Sequence, residues 1–329
     1  MSMDLTADSQ VMLLLCSHLG LSRDDGPVPL TLREWNLLAR KLLDSPVRAP
    51  GGLLGLSVDA LQAYLSLPED EAQRLTRLLS RGAGLAIELE RLESLGIWVL
   101  TRADADYPRR LKQRLQHAAP AILFGAGERV LLGQPGLAVI GSRNVDDRGR
   151  ACADFIGNAC AREGLVLYSG GARGVDAIST SAALEARGTA VGVLAHSLET
   201  AIRGPDVRSK LMSGDLALIT HYSPSAGFSV GAAMGRNKLI YALAEYALII
   251  ASDAGKGGTW AGATEALKAR WAPVFVLDGP NVPEGNRRLL QKGAVPFPES
   301  LLTWTFALRE WLESRLDDFA PRTTQLRLI

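Results

Sequence analysis

Leu165-Val-Leu-Tyr-Ser-Gly-Gly-Ala-Arg-Gly-Val-Asp176 decides how this chain is read. An apolar run ends at Tyr168, the next six residues (Ser169 to Gly174) hold three glycines and Arg173, and a helix-like stretch opens at Val175. Strand, glycine loop, helix is the order that offers backbone N–H groups and a positive helix end to an anion. Glycine permits positive φ and a close approach of backbone to ligand. Arg173 adds a planar, fork-shaped cation suited to phosphate oxygens. Asp176, in the first helical turn, is placed to cap N–H groups or to hold Arg173.

The same order recurs on both sides of that stretch. Leu137-Ala-Val-Ile140 runs into Gly141-Ser142-Arg143, and Ala247-Leu-Ile-Ile-Ala251 leads to Lys256-Gly257-Gly258-Thr259. Three such loops at the carboxyl ends of one doubly wound sheet suggest a surface for several phosphates. Gly235-Arg236-Asn237-Lys238 reads as the opening of another helix. Two cations there oppose the helix dipole, and a bound anion would relieve the cost. Trp260 is a candidate for stacking on a base. Blander readings compete at each place. Gly141-Ser142-Arg143 can be a tight turn with a solvated arginine, and Arg173 and Asp176 an internal pair. An acidic neighbour can answer Arg236, and Trp260 can pack beneath its loop.

Working outward, continuous Val/Ile/Leu/Ala runs at 137–140, 165–168, 189–194, 216–220, 247–251 and 273–277 predict strands of a parallel sheet covered on both faces. Helices are expected between them at 147–162, 175–187, 235–246 and 261–270. Alternation of this kind predicts an α/β fold: an extended Rossmann-like, doubly wound, mainly parallel sheet with right-handed crossovers. Residues 1–98 read as a small helical N-terminal domain, with segments at 11–19, 30–43, 57–65, 68–79 and 87–95. Thr31 followed by Glu34 is a capping-box pattern. A strand at 97–100, a short helix at 111–115 and a short strand at 121–124 lead into the sheet domain, residues 99–300. A last helix, 301–316, and a polar tail complete residues 301–329.

The 329 residues carry a net charge of +1, with 47% hydrophobic and 22% charged side chains, an ordinary globular balance. Nucleic-acid binding must therefore come from local clustering of Arg and Lys. Cys16, Cys152 and Cys160 form neither a disulfide framework nor a zinc spacing, which fits a reducing, cytoplasmic setting. The acidic start lacks the basic region of a signal peptide, and no apolar run reaches the length of a membrane span. His196 has no acid or thiol partner in view, Tyr168 reads as half-buried, and Glu265 as structural. No Ser–His–Asp order, HExxH or P-loop pattern is present. No catalytic residue, metal or cofactor is expected.

The runs AVIGSR (138–143), SGGARGVDAISTSAALEARGTAVGVLAHSLE (169–199) and GRNKLIYALAEYALII (235–250) resemble the DprA/Smf family of DNA-processing proteins. So does the Asp106-Tyr107-Pro108 turn with the stretch to Phe124-Gly125. The resemblance covers residues 85–280, and its most specific part is Ser-Gly-x-Ala-Arg-Gly-Val-Asp. It implies single-stranded DNA binding, homodimerisation and help in loading a RecA-type recombinase. The phosphate-binding positions it implies are Gly141, Ser142, Arg143, Ser169, Gly170, Arg173, Gly174, Arg236, Asn237 and Lys238. Gly171, Lys256, Gly257, Gly258 and Thr259 join them from the loop chemistry.

Departures mark a divergent member. Where the family carries Tyr-Pro, this chain reads Ala201-Ile-Arg-Gly-Pro205. Phe-Pro-x-Arg-Asn becomes Ala233-Met-Gly-Arg-Asn237, and Ser-Gly-Ser becomes Gly257-Gly258-Thr259-Trp260. Too few residues follow Leu277 for the family's frequent C-terminal winged-helix domain. The Gly-Gly-Thr segment is also similar to a loop of lysine-decarboxylase-like phosphoribohydrolases. That opens a second reading, a nucleotide-binding or nucleotide-hydrolysing protein with Glu265 as its nearest acid. A third gives the N-terminal helices a protein partner. Transformation, recombination, plasmid maintenance and phage defence are not separated by these residues.

Overall fold

The computed structural model describes residues 5–21, 26–303 and 306–316. The chain forms two compact units: residues up to 107 with 116–124, and residues 108–115 with 125 onward.

The first unit is built on five helices, α1 (Ala7–Cys16), α2 (Leu32–Asp44), α3 (Val58–Leu65), α4 (Glu69–Leu79) and α5 (Gly82–Ser94). Local sequence sets their starts. Thr31 accepts the Glu34 N–H while the Glu34 carboxylate accepts the Thr31 N–H, the reciprocal cap that the spacing predicts. Ser57 caps α3, and Glu69, Asp70 and Glu71 load the first turn of α4 with the charge its dipole favours. Val11, Met12 and Leu15 of α1 pack with Trp35, Leu38 and Leu42 of α2 and with Leu75 and Leu78 of α4 in one core. The unit continues through strand β1 (Ile97–Thr101) to the start of β2 (Ile122–Gly127).

The second unit opens with α6 (Arg109–Leu115) and then alternates. β3 (Gly136–Gly141), α7 (Asp147–Arg162), β4 (Val166–Ser169), α8 (Val175–Glu185) and β5 (Ala190–Val193) come first. Two short helices follow, α9 (Leu198–Ala201) and α10 (Pro205–Ser213), then β6 (Leu216–Thr220). α11 (Val230–Leu243), β7 (Tyr246–Ala251), α12 (Gly257–Ala269), β8 (Val274–Asp278), α13 (Glu284–Gln291), β9 (Val295–Pro298) and α14 (Leu308–Glu313) complete it. The strand order is β6-β5-β4-β3-β7-β8-β9. β3 lies parallel to β4 on one side, with Leu137 opposite Leu167, and parallel to β7 on the other, with Leu137 opposite Tyr246. The chain thus winds outward from β3 in one direction, returns, and winds outward from β7 in the other. The central strands are buried along their whole length, which is why they read as unbroken apolar runs.

Packing details hold the carboxyl ends of these strands in place. Gly157 lets α7 lie against α8, since a Cβ there would fall 2.4 Å from the Ser179 carbonyl oxygen. Asn286, fully buried on α13, donates to the carbonyls of Ile250 (3.0 Å) and Leu277 (2.9 Å) and accepts the Ser252 N–H (2.9 Å). One side chain therefore ties the ends of β7 and β8. Arg114 of α6 donates to the Tyr241, Ala242 and Ala244 carbonyls, satisfying the last turn of α11.

The structure corrects several expectations. α11 begins at Val230, with Ser229 as its N-cap, so Gly235-Arg236 lies in the second turn and does not open the helix. α12 begins at Gly257, so Gly257-Gly258-Thr259 is its first turn and not a loop. The single helix expected over 301–316 is replaced by a 3-10 turn, Glu299–Thr303, and the shorter α14. Tyr168 is fully buried, and its one hydroxyl proton is shared between the carbonyls of Leu131 (2.8 Å) and Gln134 (3.0 Å). α9, α10, α13 and β9 are elements the sequence reading did not place. The polar tail, 317–329, lies outside the described residues. Among the described residues no helix is long and apolar enough to cross a membrane.

Candidate functional site

The strand order reverses between β3 and β7, and the crevice at such a point is where open α/β sheets bind ligands. A cleft of about 440 Å³ lies there. Gly141, Ser142, Arg143 and Asn144 follow β3 and form one wall. Ala172 and Asp176 come from the turn after β4 and the start of α8. Phe228, Met234, Arg236 and Asn237 come from α11 and the segment before it. Asp253, Lys256, Gly257, Gly258 and Thr259 come from the end of β7 and the first turn of α12.

Nine of the expected phosphate-binding residues thus line one cleft: Gly141, Ser142, Arg143, Arg236, Asn237, Lys256, Gly257, Gly258 and Thr259. Ser169, Gly170, Gly171, Arg173, Gly174, Lys238 and Trp260 are not among its lining residues. Gly170 and Gly174 act from behind. A Cβ on Gly170 would fall 1.6 Å from a terminal nitrogen of Arg236, so the arginine uses the space the missing side chain leaves. Gly174, at φ +82°, backs onto the carbonyls of Ser142 and Arg143. Arg173 is exposed. The Lys292 ammonium lies 5.9 Å from the centre of the Trp260 ring.

Arg236 is the unusual member. It is only 6% exposed, and its Nε has no hydrogen-bond partner. Burial pushes its pKa down, and the Asp176 carboxylate opposes that shift. Asp176 accepts the Gly170 N–H at 3.1 Å, so it holds the glycine turn and faces Arg236, not Arg173. Burial pushes Asp176 up to about 6, against the lowering influence of Arg236 and of the Ala172, Gly170 and Gly141 N–H groups. Asn237 donates to the Gly258 carbonyl at 3.1 Å, which fixes the Arg236 turn of α11 against the start of α12. α12 has no side-chain cap, since its N-cap residue is Lys256.

Other contributors were not found in the sequence. Phe228 is 54% exposed and Met234 41%, and the Arg143 guanidinium carbon lies 5.8 Å from the centre of the Phe228 ring. Outside the lining, His221 sits against Tyr222, with ring centres 3.9 Å apart. Burial, then Lys238 and Arg236, push it down to about 4, so it is neutral at pH 7. Spacing gave no signal for Phe228, because it lies between the expected strand at 216–220 and the expected helix at 235–246, where no element was placed. The exposed apolar residues at 228, 230 and 234 are legible only once α11 is known to begin at Val230.

Asp176 sets a pH dependence. A carboxyl raised from the usual 3.8 to about 6 binds more protons folded than unfolded between those values. Its contribution to stability therefore falls as pH rises through that window. Urea denaturation at pH 5 and pH 7 is expected to show Asp176→Asn losing this slope, a change of roughly 1 kcal/mol between the two pH values. An unchanged slope in the variant would assign it elsewhere.

The family described as DNA recombination-mediator protein A matches residues 98–302. DNA processing protein DprA of Bacillus subtilis is 26% identical over 246 residues, covering 70% of this chain and 82% of that protein. Protein Smf of Escherichia coli is 30% identical over 214 residues, covering 62% of this chain and 55% of its own length. Among solved structures, DprA from Streptococcus pneumoniae superposes with a TM-score of 0.66 at 19% identity, covering 92% of this chain and 100% of that one. DprA from Helicobacter pylori gives 0.53 at 24% identity, covering 68% and 97%. With a family match that spans the whole parallel sheet and the cleft at its reversal point, the chain belongs to the DNA recombination-mediator protein A family.

Proposed function

We propose that this protein binds single-stranded DNA by its phosphate backbone, acts in recombination as a DNA-processing protein, and does so without catalysing a reaction. One observation carries the reading. Arg236, buried and with an unpaired Nε, faces a cleft that also receives Arg143, Lys256 and the uncapped first turn of α12. Backbone amides and arginines read phosphate and leave base edges free, so binding is sequence-neutral. The solved structure of the Helicobacter pylori relative concerns its single-stranded DNA binding mode, and that relative shares this fold. Homodimerisation, and loading of a RecA-type recombinase onto the bound strand, complete the proposal. The three thiols are free, which fits a reducing, cytoplasmic setting.

Fluorescence anisotropy with a labelled single strand tests this. Affinity is expected to fall with salt along a logarithmic slope of about −2, the value for roughly three phosphate contacts at about −0.7 each. Duplex competitor should displace the strand poorly. The Arg143→Ala/Arg173→Ala/Arg236→Ala variant should lose binding. Salt-independent binding, or a variant that binds like wild type, would remove the proposal.

The dimensions of the cleft favour one other reading, a pocket for a free mononucleotide. Glu265 does not supply its acid, being exposed on α12 and outside the lining. Release of free base from nucleoside monophosphates would establish that reading.

A further inference from the structure

We infer that the floor of the cleft takes a phosphate monoester, the terminal phosphate of a DNA strand, in preference to an internal phosphodiester. The inference rests on the single-stranded DNA reading above and adds which phosphate is read.

Two independent features meet at that floor. The first is the start of α12, a 13-residue helix whose first-turn N–H groups have no side-chain cap. The second is Arg236, 94% buried by its 6% exposure, with Nε unpaired. The Asn237 bond to the Gly258 carbonyl holds the two together at 3.1 Å. Arg236 is closed from behind by the Gly170 backbone, where even a Cβ would overlap the guanidinium. A group that reaches the arginine therefore comes from the cleft side.

That geometry separates the two kinds of phosphate. An internal diester has two esterified oxygens, and the strand must run away from it in two directions. A monoester has one substituent and three free oxygens, which suits donors that converge on it from Arg236 of α11 and from the uncapped start of α12. The mouth suits the nucleotide attached to that phosphate. Phe228 and Met234 present exposed apolar surface there, and Arg143 lies across the Phe228 ring. The first sugar and base would rest against this wall. The Asp176 carboxylate opposes the charge of the buried Arg236.

The test compares 20-nucleotide DNA strands bearing a 5′-phosphate, a 3′-phosphate or hydroxyls at both ends, together with circular single-stranded DNA and thymidine monophosphate. Each competes with a labelled strand on the full chain. A terminal phosphate is expected to tighten binding roughly tenfold over hydroxyl ends and over the circle, a difference of about 1.4 kcal/mol. Arg236→Gln should erase the advantage. Lys256→Ala, an exposed change at the α12 N-cap, should reduce it several-fold without affecting folding. Equal binding of phosphorylated, hydroxyl-ended and circular DNA would overturn the monoester assignment and leave single-stranded DNA binding intact. Binding of thymidine monophosphate with no binding of any DNA would overturn the strand end as the source, and with it the function proposed above.

Discussion

Gly174→Ala is expected to destabilise the second unit by about 3 kcal/mol, far more than an ordinary loop glycine would. The residue is the N-cap of α8 at φ +82° and ψ −133°, a region that a side chain enters only with strain of roughly 1–3 kcal/mol. A Cβ there would lie 2.4 Å from the Ser142 carbonyl oxygen and 2.6 Å from that of Arg143. Both are backbone atoms, so no rotamer change relieves the clash, and overpacking adds roughly 1–3 kcal/mol. The Val175 N–H donates to the same Ser142 carbonyl at 3.3 Å, and displacing that strand end would break the bond. Gly164→Ala is the control. It also has positive φ, at +65°, but nothing lies within 4 Å of its Cβ position, so its cost should stay near 1 kcal/mol. Urea denaturation of the two variants measures the difference. Equal losses would mean that Gly174 does not clamp the turn after β3 to the turn after β4.

The clamp also explains which parts of the site the sequence could disclose. The strands were legible because burial on both faces favours Val, Ile, Leu and Ala, and the runs fall within a residue or two of β3 to β8. α7 spans 147–162 as its periodicity predicts, since Asp146 caps it by accepting the Gly149 N–H at 2.8 Å. Glycine misled elsewhere. Gly235 read as a helix opening and Gly257-Gly258 as a loop, yet they lie in the second turn of α11 and the first turn of α12, where Gly257 takes φ +82° with nothing within 4 Å of its Cβ position. A Cβ on Gly235 would fall 2.7 Å from the Tyr222 hydroxyl, and one on Gly262 would fall 3.1 Å from the Tyr241 ring. β9 was hidden by its two prolines, which an edge strand tolerates. α10 buries none of its residues and so carries no apolar stripe.

The roles of the charged groups were the least legible. Arg173 sits among glycines and looked ligand-facing, but it is exposed and lies outside the cleft lining. Arg236 was noticed for the wrong reason, as a cation at a helix start. Its importance comes from Gly170, 66 residues earlier by the numbering, whose missing side chain makes room for the guanidinium. No local pattern encodes a contact of that range. Asp176 was read as a capping acid or as a partner of Arg173, but its neighbour Arg236 became visible only with the fold.

Arg236→Gln is expected to weaken single-stranded DNA binding by roughly 30- to 100-fold, or about 2–3 kcal/mol. The size follows from burial. A charge-assisted hydrogen bond made out of water is among the stronger polar contacts, and the unpaired Nε leaves the guanidinium free to make one. Arg173→Ala should cost less than about threefold, because an exposed cation outside the cleft offers only screened attraction. Arg236→Lys should recover part of the loss, since it restores charge without the planar fork. Stability should shift in a characteristic direction. Arg236 lowers the pKa of Asp176, so its removal raises that carboxyl further and favours its neutral form. The variant should therefore remain folded at pH 7, with its stability falling towards higher pH as the buried acid ionises without a partner. Anisotropy at constant salt, with urea denaturation from pH 6 to pH 9, reads both effects. If Arg173→Ala weakened binding as much as Arg236→Gln, the strand would be following the outer loop and not the cleft.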